Sequence, residues 1–595
     1  MLMVIQVKQF NIISALINLN HPQHYFHWSF FTISVANLII IAIMVVIFGL
    51  AIVLPFPKSK YKPATAEHET NDQSPGPDEE LDTWTYKVRH FFLRILPPGK
   101  LLPDRQPAYV ASWIYVFGVA TLAALGIVIG SGLVLAIGGV NWWHESTVGH
   151  FVNSIHLWGV EMFMAFMVIH LWGKFWMAAW RGKRALTWMT GVLAFTVSIL
   201  ECFTGYLSQQ NFDSQWIATN GKDAINATGL GSFFNLMNFG QMLTWHIVLI
   251  PLLLVSVIMI HILLVRVRGV SHPIQKARGR AERRALKSAE ASAWRGPTRR
   301  YDILREGSIA TVIVLVLVVL LAGVLSSPDD PPVTVATWAK IAPADFMATT
   351  GSELAGTSET AKYGPPYNHG SSNVQKIGVS WQMLTGVHTP INTAKTFVLA
   401  PLAKIAPGDR KLARALNEYN RASSKQQRRW AKAYLSAVTK VKFNGDLPVV
   451  PKAKDGPVPL MVASELTMAR SGAIDADLIA QQPFYGTNYT KPLLFIEDGS
   501  YFSSIAQSEH LTGSQWGVMN ETGSYPGQPW LWLYTLWYQI PGFSTSANVD
   551  LIAIYLTVLA TTLLLLVPFI PGIRDIPRLI PIHRIIWRQW RSSKQ

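Results

Sequence analysis

The chain has 595 residues, of which 50% are apolar and only 14% charged, whereas ordinary soluble domains carry roughly a quarter charged residues. Its single cysteine, Cys202, excludes intramolecular disulfides, cysteine-rich zinc sites, cysteine-ligated iron–sulfur clusters and CxxCH haem attachment. A formal charge of +16 in so apolar a chain reports loop topology before it reports nucleic acid. What is left is a multispan membrane protein whose chemistry uses histidine, carboxylates or a non-covalently held cofactor.

About twenty apolar residues in a helix cross ~30 Å of hydrocarbon. Seven segments qualify: 33–54, 113–138, 154–178, 187–208, 243–265, 308–326 and 549–570. The first lacks a small-residue cleavage site and reads as an anchor helix, followed by a linker to residue 110. Spans two to five then form a bundle over 111–275. A basic linker, 276–307, continues a run that begins at Arg266 and includes Arg268, Lys276, Arg278, Arg280, Arg283, Arg284 and Lys287. The tail repeats the bias with Arg574, Arg578, Arg584, Arg588 and Arg591. The positive-inside rule puts 266–307, the C-terminus, the Arg181–Arg184 turn and 56–110 in the cytoplasm. An even number of spans separates each pair, so the assignment is self-consistent. Residues 327–525 then lie outside, too many for an ordinary loop, and are expected to form a small domain. Its basic stretch from Arg410 to Lys442 runs against the charge rule. Residues 526–595 hold an aromatic segment with Trp530, Trp532, Tyr534 and Trp537, the last span and the tail. The fold class expected is an all-α membrane protein of about seven spans with a large extracytoplasmic insert.

Ionisable residues inside spans are costly and are functional candidates by default. The third span carries His156 and His170, fourteen residues apart, and the fifth carries His246 and His261, fifteen apart. Fourteen residues make nearly four helical turns, so each pair shares a face at two levels ~21 Å apart. Antiparallel helices would set His156 against His246 near the outer surface and His170 against His261 near the inner one. Two facing imidazoles with room between them suit bis-histidine haem ligation. The second span holds Gly118 and Gly132, and the fourth Gly191 and Gly205, again fourteen apart. Mid-helix glycine costs stability and marks close approach by another group, here flat macrocycles packed edge-on. Helix–helix packing or a proton-relay role for single histidines is the competing reading.

At these residues the chain resembles the cytochrome b family, nearer the b6f-type and Gram-positive forms than the mitochondrial one. The fifteen-residue interval is b6-like. Further matches are Arg184-Ala-Leu-Thr-Trp-Met-Thr-Gly191, Thr204-Gly205-Tyr206 and Arg266-Val-Arg-Gly-Val-Ser-His-Pro273. The likeness is strong over 110–275 and weaker over 308–326 and 526–590, which look like a truncated C-terminal half with two late helices missing and an N-terminal helix added. The resemblance implies a di-haem four-helix transmembrane bundle, with two non-covalent b haems on His156/His246 and His170/His261. It also implies quinol oxidation outside and quinone reduction inside, with a menaquinone-like quinone. The partners implied are a Rieske-type iron–sulfur protein and a cytochrome c or equivalent acceptor, in a homodimer within a bacterial cytoplasmic membrane. Arg266 matches a family arginine near the inner quinone or haem propionates.

Departures are specific. The family's outer Pro-Glu-Trp-Tyr motif reads Tyr525-Pro-Gly-Gln-Pro-Trp530 here, with no counterpart of its glutamate. Leu-Pro-Trp after Gly-Tyr is replaced by Leu207-Ser-Gln-Gln210. Asn153 and Leu157 stand where arginines flank the first histidine, and Val116 stands where b6 proteins attach an extra haem. Quinol oxidation releases protons, so an outer site needs a base. Candidates are Glu201 near the outer end of the fourth span, Asp213 in the following loop and Glu521 upstream of the altered motif. Glu201 reads equally as a partner for a serine, backbone group or water. Asp213 and Glu521 are residue types commonly solvated in loops. Glu161, one turn below His156, has no assigned role.

These readings describe the di-haem cytochrome b subunit of a bacterial quinol-oxidising bc-type complex. The first rival is an electron conduit without a working outer quinol site. The second is a haem-free transporter using histidine relays.

Overall fold

The computed structural model describes residues 17, 19–21, 24–57, 84, 105–274, 294, 296–328, 330–445, 447–479, 487–512 and 522–592. The elements used below are α1 (Val35–Val53), α2 (Trp113–Gly138), α3 (Thr147–Trp176), α4 (Ala185–Leu207), α5 (Phe212–Ala227), α6 (Phe239–Arg268) and α7 (Ile303–Leu325). After these come α8 (Pro343–Ala355), α9 (Arg410–Arg421), α10 (Ser424–Val438), α11 (Val458–Arg470), α12 (Thr490–Glu497), α13 (Trp532–Gln539) and α14 (Val549–Leu566). Seven of them, α1, α2, α3, α4, α6, α7 and α14, are long and apolar enough to cross a membrane. They coincide with the seven segments expected. Among the described residues the fold is helical apart from three two-stranded antiparallel ladders, Tyr25–Trp28 with Phe31–Ser34, Arg105–Pro107 with Thr298–Arg300, and Lys442–Asn444 with Leu447–Val449, and isolated bridges.

The helices start where a short polar side chain can take an orphan N–H. Ser34 caps α1, Ser146 caps α3, Asn211 caps α5 and Asp302 caps α7, each accepting from the backbone N–H three residues on. α2 stops at Gly139, whose φ of +80° lies in the region that favours glycine. α3 and α4 are the most enclosed spans, with 50% and 44% of their apolar windows buried, against 17% for α1, α6 and α7. The bundle therefore closes around α3 and α4, and the others turn most of their surface outward.

One end of the bundle gathers the chain segments that the charge rule groups together. The Phe56 N–H donates to Gln589 Oε1 at 3.0 Å, and Gln589 Nε2 donates back to the Phe56 carbonyl at 2.8 Å. Trp587 Nε1 donates to Tyr115 Oη at 2.9 Å, and the 105–107 ladder pairs with 298–300 at the same end. Most of the basic linker, including Lys276, Arg278, Arg280, Arg283, Arg284 and Lys287, lies outside the described residues. At the opposite end, the 327–525 insert is a helical unit around Trp338, Phe346, Phe397 and Phe495. Its core is continuous with Tyr206 and Leu207 at the end of α4, Ile217 of α5 and Met242 of α6. The α9 and α10 helices send Leu412, Leu416, Tyr419 and Tyr434 into that core and leave Arg410, Lys411, Arg414, Arg428 and Arg429 exposed.

Candidate functional site

α3 and α6 carry the four candidate ligand histidines, His156 and His170 on one and His246 and His261 on the other. His156 and His246 face each other with ring centroids 6.2 Å apart and planes at 88°. His170 and His261, four turns further along, lie within each other's electrostatic reach. The unequal sequence intervals have a local cause. His246 sits in a π-helical turn, Trp245–Leu249, where the Ile250 N–H reaches back to the Trp245 carbonyl. Pro251 follows; it has no N–H and would clash with the carbonyl four residues back in a regular helix. The wide turn accommodates that clash and takes up one residue. Fifteen residues on α6 thus span the same number of turns as fourteen on α3.

The glycines seat the imidazoles directly. A Cβ on Gly118 would stand 2.9 Å from His170 Cε1, one on Gly132 3.1 Å from His156 Cε1, and one on Gly191 3.0 Å from His261 Cε1. On Gly205 it would overlap His246 Cε1. Each glycine therefore meets one histidine of the neighbouring helix, where the sequence suggested contact with a macrocycle edge. Spans α2 with α3 and α4 with α6 are locked in register by these four contacts.

This arrangement fits a bis-histidine haem. An imidazole nitrogen ligates a metal ion from about 2 Å, so two rings sharing one ion from opposite sides have centroids about 6 Å apart, as the outer pair does. Nδ1 is the hydrogen-bonded nitrogen in three rings. It meets Ser131 Oγ at 3.0 Å in His156, Thr190 Oγ1 at 3.1 Å in His261, and the Glu201 carbonyl at 3.1 Å in His246. Such partners fix a ligating ring and leave its Nε2 for the metal. His170 Nδ1 is buried without a partner. Ser131 and Thr190 were not singled out from sequence, although each immediately precedes one of the glycines. That Ser/Thr-Gly pairing was the available signal.

At the end of the bundle that adjoins the insert, two of the departures pair with each other. Gln209 Nε2 donates to Asn153 Oδ1 at 3.2 Å, and His144 Nε2 lies 2.7 Å from the Gln209 carbonyl. Glu201 turns its Oε1 to within 3.2 Å of His246 Nδ1. Asp213 is not a solvated loop residue: it is buried in the first turn of α5, and its Oδ2 accepts the Thr522 N–H at 3.0 Å. That contact brings it beside the altered motif. Glu521, next in sequence, lies outside the described residues. Within the motif, the Gly527 N–H donates to Asn37 of α1 at 2.9 Å. Gln528 Oε1, Trp530 Nε1 and Trp532 Nε1 are buried without partners. In an apolar setting each such group costs about 1–3 kcal/mol, so three together suit a polar ligand. Glu161 is buried in α3.

The opposite end is cationic. Lys174 lies over the Tyr115 ring at 4.6 Å, Arg184 is buried, and Arg181 donates to the His272 carbonyl at 2.5 Å. Burial, helped by Arg184 and Arg181, pushes the His272 imidazole down to about 4. Arg266, at the end of α6, has a buried Nε without a partner.

Residues 161–332 match the family model described as cytochrome b (N-terminal)/b6/petB. That range holds His170, His246 and His261 and begins five residues after His156. A cytochrome b6 of Heliobacterium modesticaldum is 24% identical over 142 residues, covering 22% of this chain and 67% of that protein. The menaquinol:cytochrome c reductase cytochrome b subunit of Bacillus subtilis is 27% identical over 212 residues, covering 31% of this chain and 95% of that protein. A cytochrome bc complex cytochrome b subunit of Chlorobaculum thiosulfatiphilum is 28% identical over 140 residues, and the match spans only 33% of its length. The family-model match thus runs from within α3 past the end of α7.

Proposed function

We propose, from the premise that this bundle is of the cytochrome b N-terminal/b6 type, that the chain is the di-haem cytochrome b subunit of a bacterial quinol-oxidising bc-type complex. The observation that carries the reading is the outer histidine pair, at ligation distance and with both rings seated on glycine. When bound, the two haems supply reversible one-electron transfer between the outer and inner levels. The chain supplies everything else. His156 with His246 and His170 with His261 hold the two groups, and Gly118, Gly132, Gly191 and Gly205 admit the rings. The buried polar atoms of Gln528, Trp530 and Trp532 orient a menaquinone-like quinol at the outer end. With Glu201 engaged by His246, Asp213 and Glu521 are the proton acceptors assigned there. At the inner end Arg266, Lys174 and Arg184 favour the anionic groups of a quinone site or haem propionates. The complex is proposed to include a Rieske-type protein and a cytochrome c or equivalent acceptor, as a homodimer in the cytoplasmic membrane. Residues 266–307 and the C-terminus face the cytoplasm, and 327–525 lies outside.

A second reading, an electron conduit without outer quinol oxidation, is favoured by one contact. Asn37 of the added helix α1 ties down Gly527 in the motif that lacks its glutamate. Quinol-driven haem reduction in the purified complex separates the two. Gln528→Leu and an outer-pocket inhibitor are each expected to slow reduction at least tenfold with haem content unchanged. Reduction insensitive to both would favour the conduit.

A further inference from the structure

Three of the four histidines reach the backbone carbonyl four residues before their glycine, Val128 for His156, Thr187 for His261 and Glu201 for His246, and of these three only His246 also meets a carboxyl group. Ser131 and Thr190 offer neutral hydroxyls to His156 and His261, and each hydroxyl is also engaged with its own helix, Ser131 with the Ile127 carbonyl and Thr190 with the Leu186 carbonyl. Thr204, at the corresponding place beside Gly205, is engaged with its own helix in the same way, donating to the Leu200 and Glu201 carbonyls at 3.1 and 3.0 Å. His246 Nδ1 meets Glu201, which presents its backbone carbonyl at 3.1 Å and its side-chain Oε1 at 3.2 Å. The other carboxylate oxygen, Oε2, is buried without a partner, so His246 is the group this side chain addresses. Gly205 holds the ring against α4 from the same side.

A carboxylate on the distal nitrogen of a ligating imidazole fixes the ring and raises its basicity. A more basic ligand favours the oxidised metal, and hydrogen bonding of this kind is one of the protein's levers on haem potential. We propose that Glu201 is a positioning residue that makes His246 the most electron-donating of the four ligands. A lower potential at His156/His246 than at His170/His261 is what the cytochrome b resemblance itself implies, and Glu201 is assigned a share of that difference. This rests on the di-haem reading above.

The test is a spectroscopic redox titration of the purified complex. The unaltered protein is expected to show two b-type components. Glu201→Gln keeps the backbone acceptor and the side-chain shape and replaces the carboxyl group with an amide. It is expected to make the lower-potential component about tenfold easier to reduce, ~59 mV for one electron, and to leave the other unmoved. Glu201→Asp should restore most of the shift. The reciprocal variant, Thr190→Asp, brings a carboxylate to His261 and is expected to lower the higher-potential component; it decides the matter if Glu201→Gln does not assemble. Two components whose potentials ignore these substitutions would overturn the role of Glu201 alone. No b-type absorbance in the unaltered protein would overturn the di-haem reading itself.

Discussion

Replacing Gly205 with alanine would push a methyl group into the His246 ring. Alanine gains about 0.5–1 kcal/mol of helix stability over glycine, while an added carbon in a packed site costs about 1–3 kcal/mol. The second effect wins, and the ring moves. Gly205→Ala is expected to lower haem content from two per chain to one, read by pyridine haemochrome, with the inner site retained; full content would refute the seating. A different residue pair governs the insert's response to pH. Glu353 of α8 is buried, and Asp498, just after α12, lies half-buried beside it. Glu353 accepts from Ser358 Oγ at 2.7 Å, and Asp498 accepts from the Thr360 N–H at 2.9 Å. Burial first, and then the facing carboxylate, raises Glu353 well above the usual carboxylate range; burial also raises Asp498. The folded state therefore holds a proton that the unfolded chain has released, and stability falls as pH rises above about 4.5 toward the raised folded values. Glu353→Gln is expected to raise the thermal midpoint at pH 8 and to give no gain near pH 4. A gain independent of pH would show that the pair does not share its proton in this way.

The π-helical turn in α6 was only half legible at the level of the element. The fifteen-residue interval was visible, and so was Pro251, but a sequence pattern does not say where a helix absorbs an extra residue. The turn places it between the two histidines, next to the first. Deleting Val248 together with Pro251→Ala is expected to convert the turn to a regular helix and keep both ligands on one face, so that two haems are retained. Inserting an alanine after Val257 should rotate His261 by about 100° and lose the inner haem. Equal haem content in both variants would contradict the register argument. α5 teaches a similar lesson. Asp213 looked like a loop residue because its segment has little apolar periodicity. Its burial comes from the Asn211 cap and from a contact with Thr522, more than three hundred residues away.

Across the whole molecule, the seven spans and the four histidine–glycine contacts at two levels were readable because they follow the period of the helix. What was hidden depends on which helices adjoin. The pairing of Asn153 with Gln209, the turn of Glu201 toward His246 and the contact of Asn37 with the altered motif join residues distant in sequence. The insert was legible as a domain-sized segment, but not the core it shares with the ends of α4 and α6 and with α5. The central claim is that two haem sites are built from His156/His246 and His170/His261. Haem stoichiometry of the purified chain tests it most directly, measured by pyridine haemochrome beside His246→Leu and His170→Leu variants. The account predicts two b haems per chain, and one in each variant, with different components lost. No b-type haem, or a content that neither substitution changes, would contradict it.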